Sequence, residues 1–172
     1  MCLRHKEDFF IKPAVEVAQN LLGQTLVFYK YKGIITETEC YRGADDPASH
    51  AYRGMTERTR VMFDKPGLSY VYLIYGMYHC LNIVTEPVNS PSAILIRGLK
   101  LLEPYTTVLD GPGKLCRVLN ITKEHNYIDL TNHTDFYILP GKKIPKFIST
   151  TRVGIKNGFD KKWRFYIPNN DL

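Results

Sequence analysis

A single domain mixing helix with strand is the fold class the sequence predicts, and three observations predict it. The chain has 172 residues, 44% of them hydrophobic, which suits one core of ordinary size, so no second domain is expected. Ala14, Val17, Ala18, Leu21 and Leu22 recur at helical spacing between Pro13 and Gly23, ahead of a series of short β-prone runs. The stretch Ser69 to Asn82 carries four of the twelve tyrosines and reverses at Tyr75-Gly76-Met77-Tyr78. A glycine at the first central position of a two-residue loop suits a type II′ hairpin turn.

Taken in order, the first helix is expected over Pro13 to Leu22, with Pro13 in its first turn, Gly23 just past its end, and a sheet beneath it. Gln24 to Tyr31 and Ile34 to Tyr41 read as strands joined by a turn at Lys32-Gly33. Strict alternation in the second strand puts Ile35, Glu37, Glu39 and Tyr41 on one face and Thr36, Thr38 and Cys40 on the other. Arg42 to Gly67 is a long polar insert of the kind that often carries function. Within it, Asp46-Pro47 can start a turn of helix bearing His50, and Thr56-Glu57 another reaching Phe63. The tyrosine hairpin has two readings: a half-buried core hairpin, or an exposed aromatic wedge that enters a partner such as a base stack. Ala93 to Leu99 is an apolar strand with one charge, Arg97, either a paired structural charge or a ligand contact. Asp110 to Leu115 leads into a short helix ending at Leu119, whose glycines and Lys114 could meet a phosphate. It is not a Walker A loop, because Val108 stands where the first glycine belongs and Leu115 replaces the Ser or Thr. Phe136 to Leu139, Arg152 to Ile155 and Trp163 to Ile167 read as short strands joined by basic loops.

The formal charge is +6, and Lys142 to Arg164 holds eight Lys or Arg against the single acid Asp160, a candidate polyanion-binding face. Cys2, Cys40, Cys80 and Cys116 are widely spaced, show no C-x-x-C pattern and accompany no signal peptide, as expected of reduced thiols in an intracellular protein. No apolar run approaches the ~18 residues of a membrane span. A soluble protein with no membrane partner is expected, cytoplasmic and nucleoid-associated if bacterial.

Glu37-Thr38-Glu39-Cys40-Tyr41, Asp46 to His50, Met62-Phe63 with Lys65-Pro66-Gly67, and Tyr70 to Tyr78 with Asn82 follow one another in an order that resembles the alkyladenine (3-methyladenine) DNA glycosylase family. Ile94 to Arg97, Glu103-Pro104, Gly111 to Leu115, Arg152-Val153-Gly154 and Arg164-Phe165-Tyr166 extend the likeness over nearly the whole chain. It implies an α+β fold: a single glycosylase domain over 1–172, a curved antiparallel sheet with surrounding short helices and a protruding hairpin. It also implies removal of alkylated or deaminated purines flipped out of double-stranded DNA, by a protein expected to act as a monomer.

Hydrolysis of an N-glycosidic bond passes through an oxocarbenium-like sugar, which a carboxylate can stabilise while deprotonating the attacking water. Either strand glutamate could serve; the resemblance selects Glu39 and leaves Glu37 a supporting role. It makes Tyr41, His50 and Tyr72 the walls that hold an electron-poor base by its faces. Tyr75 becomes the residue that fills the hole left by the flipped nucleotide. Asn82 becomes the obstruction to the 2-amino group of guanine, and Arg97 a pocket or backbone contact. A strict two-residue turn would put Tyr72 and Asn82 on opposite faces of the hairpin, so an irregular turn or bulge is expected, such as a three-residue turn Gly76 to Tyr78 that sets Tyr72 across from Asn82. Cationic bases such as 3-methyladenine leave without added protonation and are the expected substrates. No cofactor or metal is needed, the His79-Cys80 pair having no zinc spacing. No pocket motif carries the lysine of a Schiff-base lyase, so a monofunctional hydrolase leaving an abasic site is expected. Two other classes remain: a non-catalytic nucleic-acid-binding module and a nucleoside hydrolase. The second is disfavoured by the lack of a paired carboxylate motif or an aspartate cluster for a metal.

Overall fold

The computed structural model describes residues 3–169 and 171–172. Cys2 lies outside them; Cys40, Cys80 and Cys116 are free and buried. Two twelve-residue strands, β2 (Tyr31–Arg42) and β5 (Ser92–Glu103), pair antiparallel along their lengths. Each divides its other edge between two partners. β2 takes β1 (Thr25–Phe28) along its first half and β9 (Arg164–Tyr166) along its second. β5 takes β4 (Tyr78–Thr85) and then β6 (Thr107–Asp110). The sheet runs β3 (Ser69–Ile74), β4, β5, β2, β1, β7 (Phe136–Leu139), with β8 (Ile148–Thr150) added to β9. Its strands pair antiparallel throughout, and splitting the long edges between partners lets the sheet curl: the fold is α+β.

The helices are α1 (Glu7–Phe10), α2 (Ala14–Asn20) and α3 (Pro112–Leu119). α2 forms where the period foretold, with Pro13 at its N-cap and Gly23 beyond its end at φ +83°. Its face of Ala14, Val17 and Ala18, continued by Leu21 and Leu22, enters the main core with Leu115, Cys116 and Leu119 of α3. Each large aliphatic buried there contributes about 1.5–3 kcal/mol. Leu81 and Ile83 of β4 and Ile94 and Ile96 of β5 meet these helices. Their alternating neighbours, Asn82, Leu95 and Arg97, line a pocket on the opposite face.

Four local expectations are corrected. The β1–β2 turn is Tyr29-Lys30, because Phe28 pairs with Tyr31 and Tyr29 takes φ +51°. Gly33 is instead a strand residue lying against β5, where an added Cβ would stand 2.7 Å from the Leu99 side chain. Gly33→Ala should therefore cost about 1–3 kcal/mol by overpacking, read as a lower urea midpoint with an unchanged slope. Second, a register shift between Ile35 and Glu37 opposite Leu99 and Gly98 breaks the alternation. Ile35 joins Cys40 in the core and Thr38 donates to the Ala18 carbonyl of α2 (2.8 Å), so the bulge leaves Glu37, Glu39 and Tyr41 on the pocket face without Ile35. Third, Asp46 to His50 is a set of turns and only Arg60–Phe63 winds into a 3₁₀ helix. Fourth, Arg152 to Ile155 is not a strand: the Arg152 side chain turns inward and the Val153 N–H donates to a side chain.

Candidate active site

The pocket, about 590 Å³, opens between the hairpin tip, the N-terminus of α3 and the loop 153–157. All seven residues singled out from the sequence line it: Glu39, Tyr41, His50, Tyr72, Tyr75, Asn82 and Arg97. The sheet register explains how distant residues meet. Tyr70, Asn82, Leu95, Glu39 and Arg164 are successive partners across five strands, forming one transverse row.

Glu39 sits at the floor, 0% exposed. Its Oε1 accepts the Val153 N–H at 2.7 Å and its Oε2 the Tyr41 hydroxyl at 2.7 Å, while Arg97 Nε stands 3.7 Å from Oε1. Burial raises the Glu39 pKa above the usual carboxylate range, against the lowering by Val153, Tyr41 and Arg97. Burial and the Glu39 charge push Tyr41 up, so its phenol stays a donor. Beside Glu39, Glu37 is the counter-charge of two arginines: its Oε1 accepts from Arg97 Nε (3.2 Å) and Arg164 Nε (2.5 Å). Arg97 is therefore a paired charge and a pocket-lining residue together.

The aromatic wall is built from two segments. Tyr70 and Tyr72 come from β3, their ring centroids 5.1 Å apart. His50 comes from the turns after β2, its ring 4.6 Å from that of Tyr72 and its Nδ1 2.9 Å from the Tyr70 hydroxyl. His50 stands at the mouth with an exposed side. Desolvation against the wall, then the Arg58 charge, lower its pKa, so it is neutral at pH 7. The buried Asn82 donates through Nδ2 to the Tyr70 carbonyl at 3.2 Å.

The hairpin turn is irregular, as expected, with a different register. Ile74 pairs with Tyr78, leaving the three-residue loop Tyr75-Gly76-Met77. Tyr72 lies across from Cys80, not Asn82, and Tyr70 lies across from Asn82. Tyr72 and Asn82 nevertheless share a face, two residues apart in register. The tip is no core hairpin: Tyr75 is 83% exposed and Met77 65%, and Tyr75 holds φ +54°, an uncommon conformation for an aromatic residue.

Sequence reasoning missed the support beneath this site. Arg152, fully buried, donates from Nη1 to Asp46 Oδ2 (2.6 Å) and from Nη2 to Asp46 Oδ1 (2.8 Å), and from Nη1 also to the Cys40 carbonyl (2.9 Å). Its guanidinium lies 4.8 Å from the Tyr41 ring centroid. Asp46 also accepts the N–H groups of Arg42 and Ala48, 3.1 Å each, which shapes the turns that carry His50. Two of the eight basic residues of 142–164 thus act internally, Arg152 on Asp46 and Arg164 on Glu37. Lys156 reaches the pocket rim. Lys114, read as a phosphate contact, bonds Asp110 at 2.8 Å. An acid at 46 and an arginine at 152 give no sequence signal of pairing, since 106 positions separate them.

Known proteins match this chain along nearly all of its length. A family model described as methylpurine-DNA glycosylase covers residues 8–171. A protein of Ehrlichia ruminantium (strain Welgevonden) is 54% identical over 167 residues, 95% of this chain and 89% of its own. One from Wolbachia pipientis subsp. Culex pipiens (strain wPip) is 56% identical over 158 residues, 92% of this chain and 86% of its own. One from Sodalis glossinidius is 54% identical, covering 92% of this chain and 93% of its own. All three carry the name "Putative 3-methyladenine DNA glycosylase". The chain belongs to the methylpurine-DNA glycosylase family and, with it, to the glycosylases of DNA repair. Among the described residues, no helix is long and apolar enough to cross a membrane.

Proposed function

We propose that residues 1–172 form one monofunctional, monomeric DNA N-glycosylase domain that takes an alkylated purine such as 3-methyladenine out of duplex DNA, hydrolyses its glycosidic bond and leaves an abasic site. The observation that carries this reading is a buried carboxylate at the floor of an aromatic-walled pocket whose mouth lies beside an exposed tyrosine hairpin. Glu39 is the general base. In the free protein the Tyr41 hydroxyl caps its Oε2; as Tyr41 turns to stack on the base, water takes that position. The Val153 N–H and Arg97 keep the carboxylate oriented and ionised. Tyr41, His50 and Tyr72 hold the base by its faces, a neutral His50 suiting a cationic base better than an imidazolium would. Asn82, pinned to the Tyr70 carbonyl, obstructs the 2-amino group of guanine, and Tyr75 fills the vacated stack.

The test is release of free 3-methyladenine from methylated DNA and of hypoxanthine from a single-lesion duplex, with the abasic strand revealed by alkaline cleavage. Hydrolysis of free nucleosides to base and sugar with no salt-dependent DNA affinity would replace this reading with a nucleoside hydrolase, and steeply salt-dependent DNA binding without base release would replace it with a non-catalytic binding module. Tyr75→Ala should slow excision from duplex about tenfold or more, with much less effect on single-stranded substrate, for loss of a wedge worth a few kcal/mol per unstacked step. Thermal unfolding should stay within about 0.5 kcal/mol of the intact protein, since the side chain is exposed.

A further inference from the structure

Beside the aromatic wall stands a charge whose part in the site so far is only its effect on His50. Arg58 is exposed, and its guanidinium carbon lies 5.0 Å from the centroid of the Tyr72 ring. It is outside the pocket that Tyr72 lines. The adjacent Glu57 pairs with Arg60, and Arg58 has no carboxylate partner among the described residues. Its field reaches the wall, helping to hold His50 neutral and opposing the effect of burial on Tyr70 and Cys80.

An aromatic ring presents negative quadrupole density on both faces. A cation already seated over the ring draws on that density and repels a second cation that stacks on the same ring. With a cationic base also in stacking contact with Tyr72, the two charges draw on one ring and repel each other over roughly 8 Å or less in a water-poor wall. A neutral base in the same place has no net charge to repel. We propose, on the reading of this pocket as a damaged-base site, that Arg58 is a specificity-determining residue: held over the Tyr72 ring, it lowers the preference of the pocket for cationic alkylated purines over neutral damaged purines. Arg58 thereby broadens the substrate range without touching the base or the reacting bond. A phosphate contact would make a different mark, weakening every duplex alike.

Single-turnover excision, with enzyme in excess at fixed salt, distinguishes these. The substrates are 3-methyladenine as the cationic base, and hypoxanthine and ethenoadenine as neutral ones; the proteins are intact, Arg58→Gln and Arg58→Lys. Arg58→Gln should raise the ratio of cationic to neutral excision about three- to tenfold, and Arg58→Lys should return it towards the intact value. A ratio unchanged within twofold overturns the proposal. Equal slowing of all substrates with a shallower salt dependence of duplex affinity also overturns it and makes Arg58 a phosphate contact. If the intact protein releases no base of either kind, the base-pocket reading fails before any variant is made, and this proposal with it. The exposed position leaves folding of both variants secure, checked by thermal melts.

Discussion

Glu39→Gln should lower base release about a thousandfold, within the range assigned to a positioned general base, and leave affinity for a lesion-containing duplex within about twofold. Gln keeps the shape of the side chain, so one oxygen still accepts the Val153 N–H and the Tyr41 hydroxyl can reorient to accept from the new amide. The proton acceptor is lost; the fold is not. Because burial raises the Glu39 pKa, the intact protein should lose activity on acidification at a higher pH than an ordinary carboxylate would dictate. That limb should be absent from the residual rate of the variant. Stability should move the other way. A carboxyl whose folded pKa lies above its unfolded value contributes stability below the unfolded pKa, and that contribution is lost as pH rises through the folded pKa. At neutral pH, Glu39→Gln removes a buried charge that costs stability, so its melting temperature should exceed that of the intact protein. Equal base release by both proteins would move the assignment to Glu37, whose Oε1 is already engaged by two arginines.

Arg152→Met should cost about 3–5 kcal/mol of stability, the range for removing one partner of a buried ion pair. Its guanidinium holds both oxygens of Asp46, and both side chains are 0% exposed. The substitution leaves an uncompensated buried carboxylate and releases the Cys40 carbonyl. Removing the second charge in Asp46→Asn/Arg152→Met should recover part of the loss, measured by urea unfolding of both variants. Recovery of fold should not bring full recovery of excision. Arg152 precedes Val153, whose N–H holds Glu39, and its guanidinium lies over Tyr41. A double variant with intact rates would show that the pair serves the fold alone.

These expectations draw on different depths of information. Glu39, Tyr41, His50, Tyr72, Tyr75, Asn82 and Arg97 were legible through the family resemblance of the motifs that carry them, and the structure gathers all seven at one pocket. Arg58 also lies in the polar insert, yet nothing in the order of residues says that its side chain ends over Tyr72. Gly33 shows the opposite failure. A glycine after a lysine between β-prone runs has the chemistry of a turn, but there it answers the close approach of Leu99, more than sixty residues away.

The sequence by itself determined the first helix and the strand-rich remainder, because helical period, turn chemistry and side-chain polarity act over a few residues, and it left the tyrosine hairpin between a core and an exposed reading that the structure resolved in favour of exposure. Only the tertiary structure decided the bulge that separates Ile35 from Glu37, the three-residue loop that puts Tyr72 and Asn82 on one face, and the Asp46–Arg152 pair beneath Tyr41. Each of these depends on which strand lies alongside which, and register is set by packing across the whole sheet rather than by neighbours along the chain.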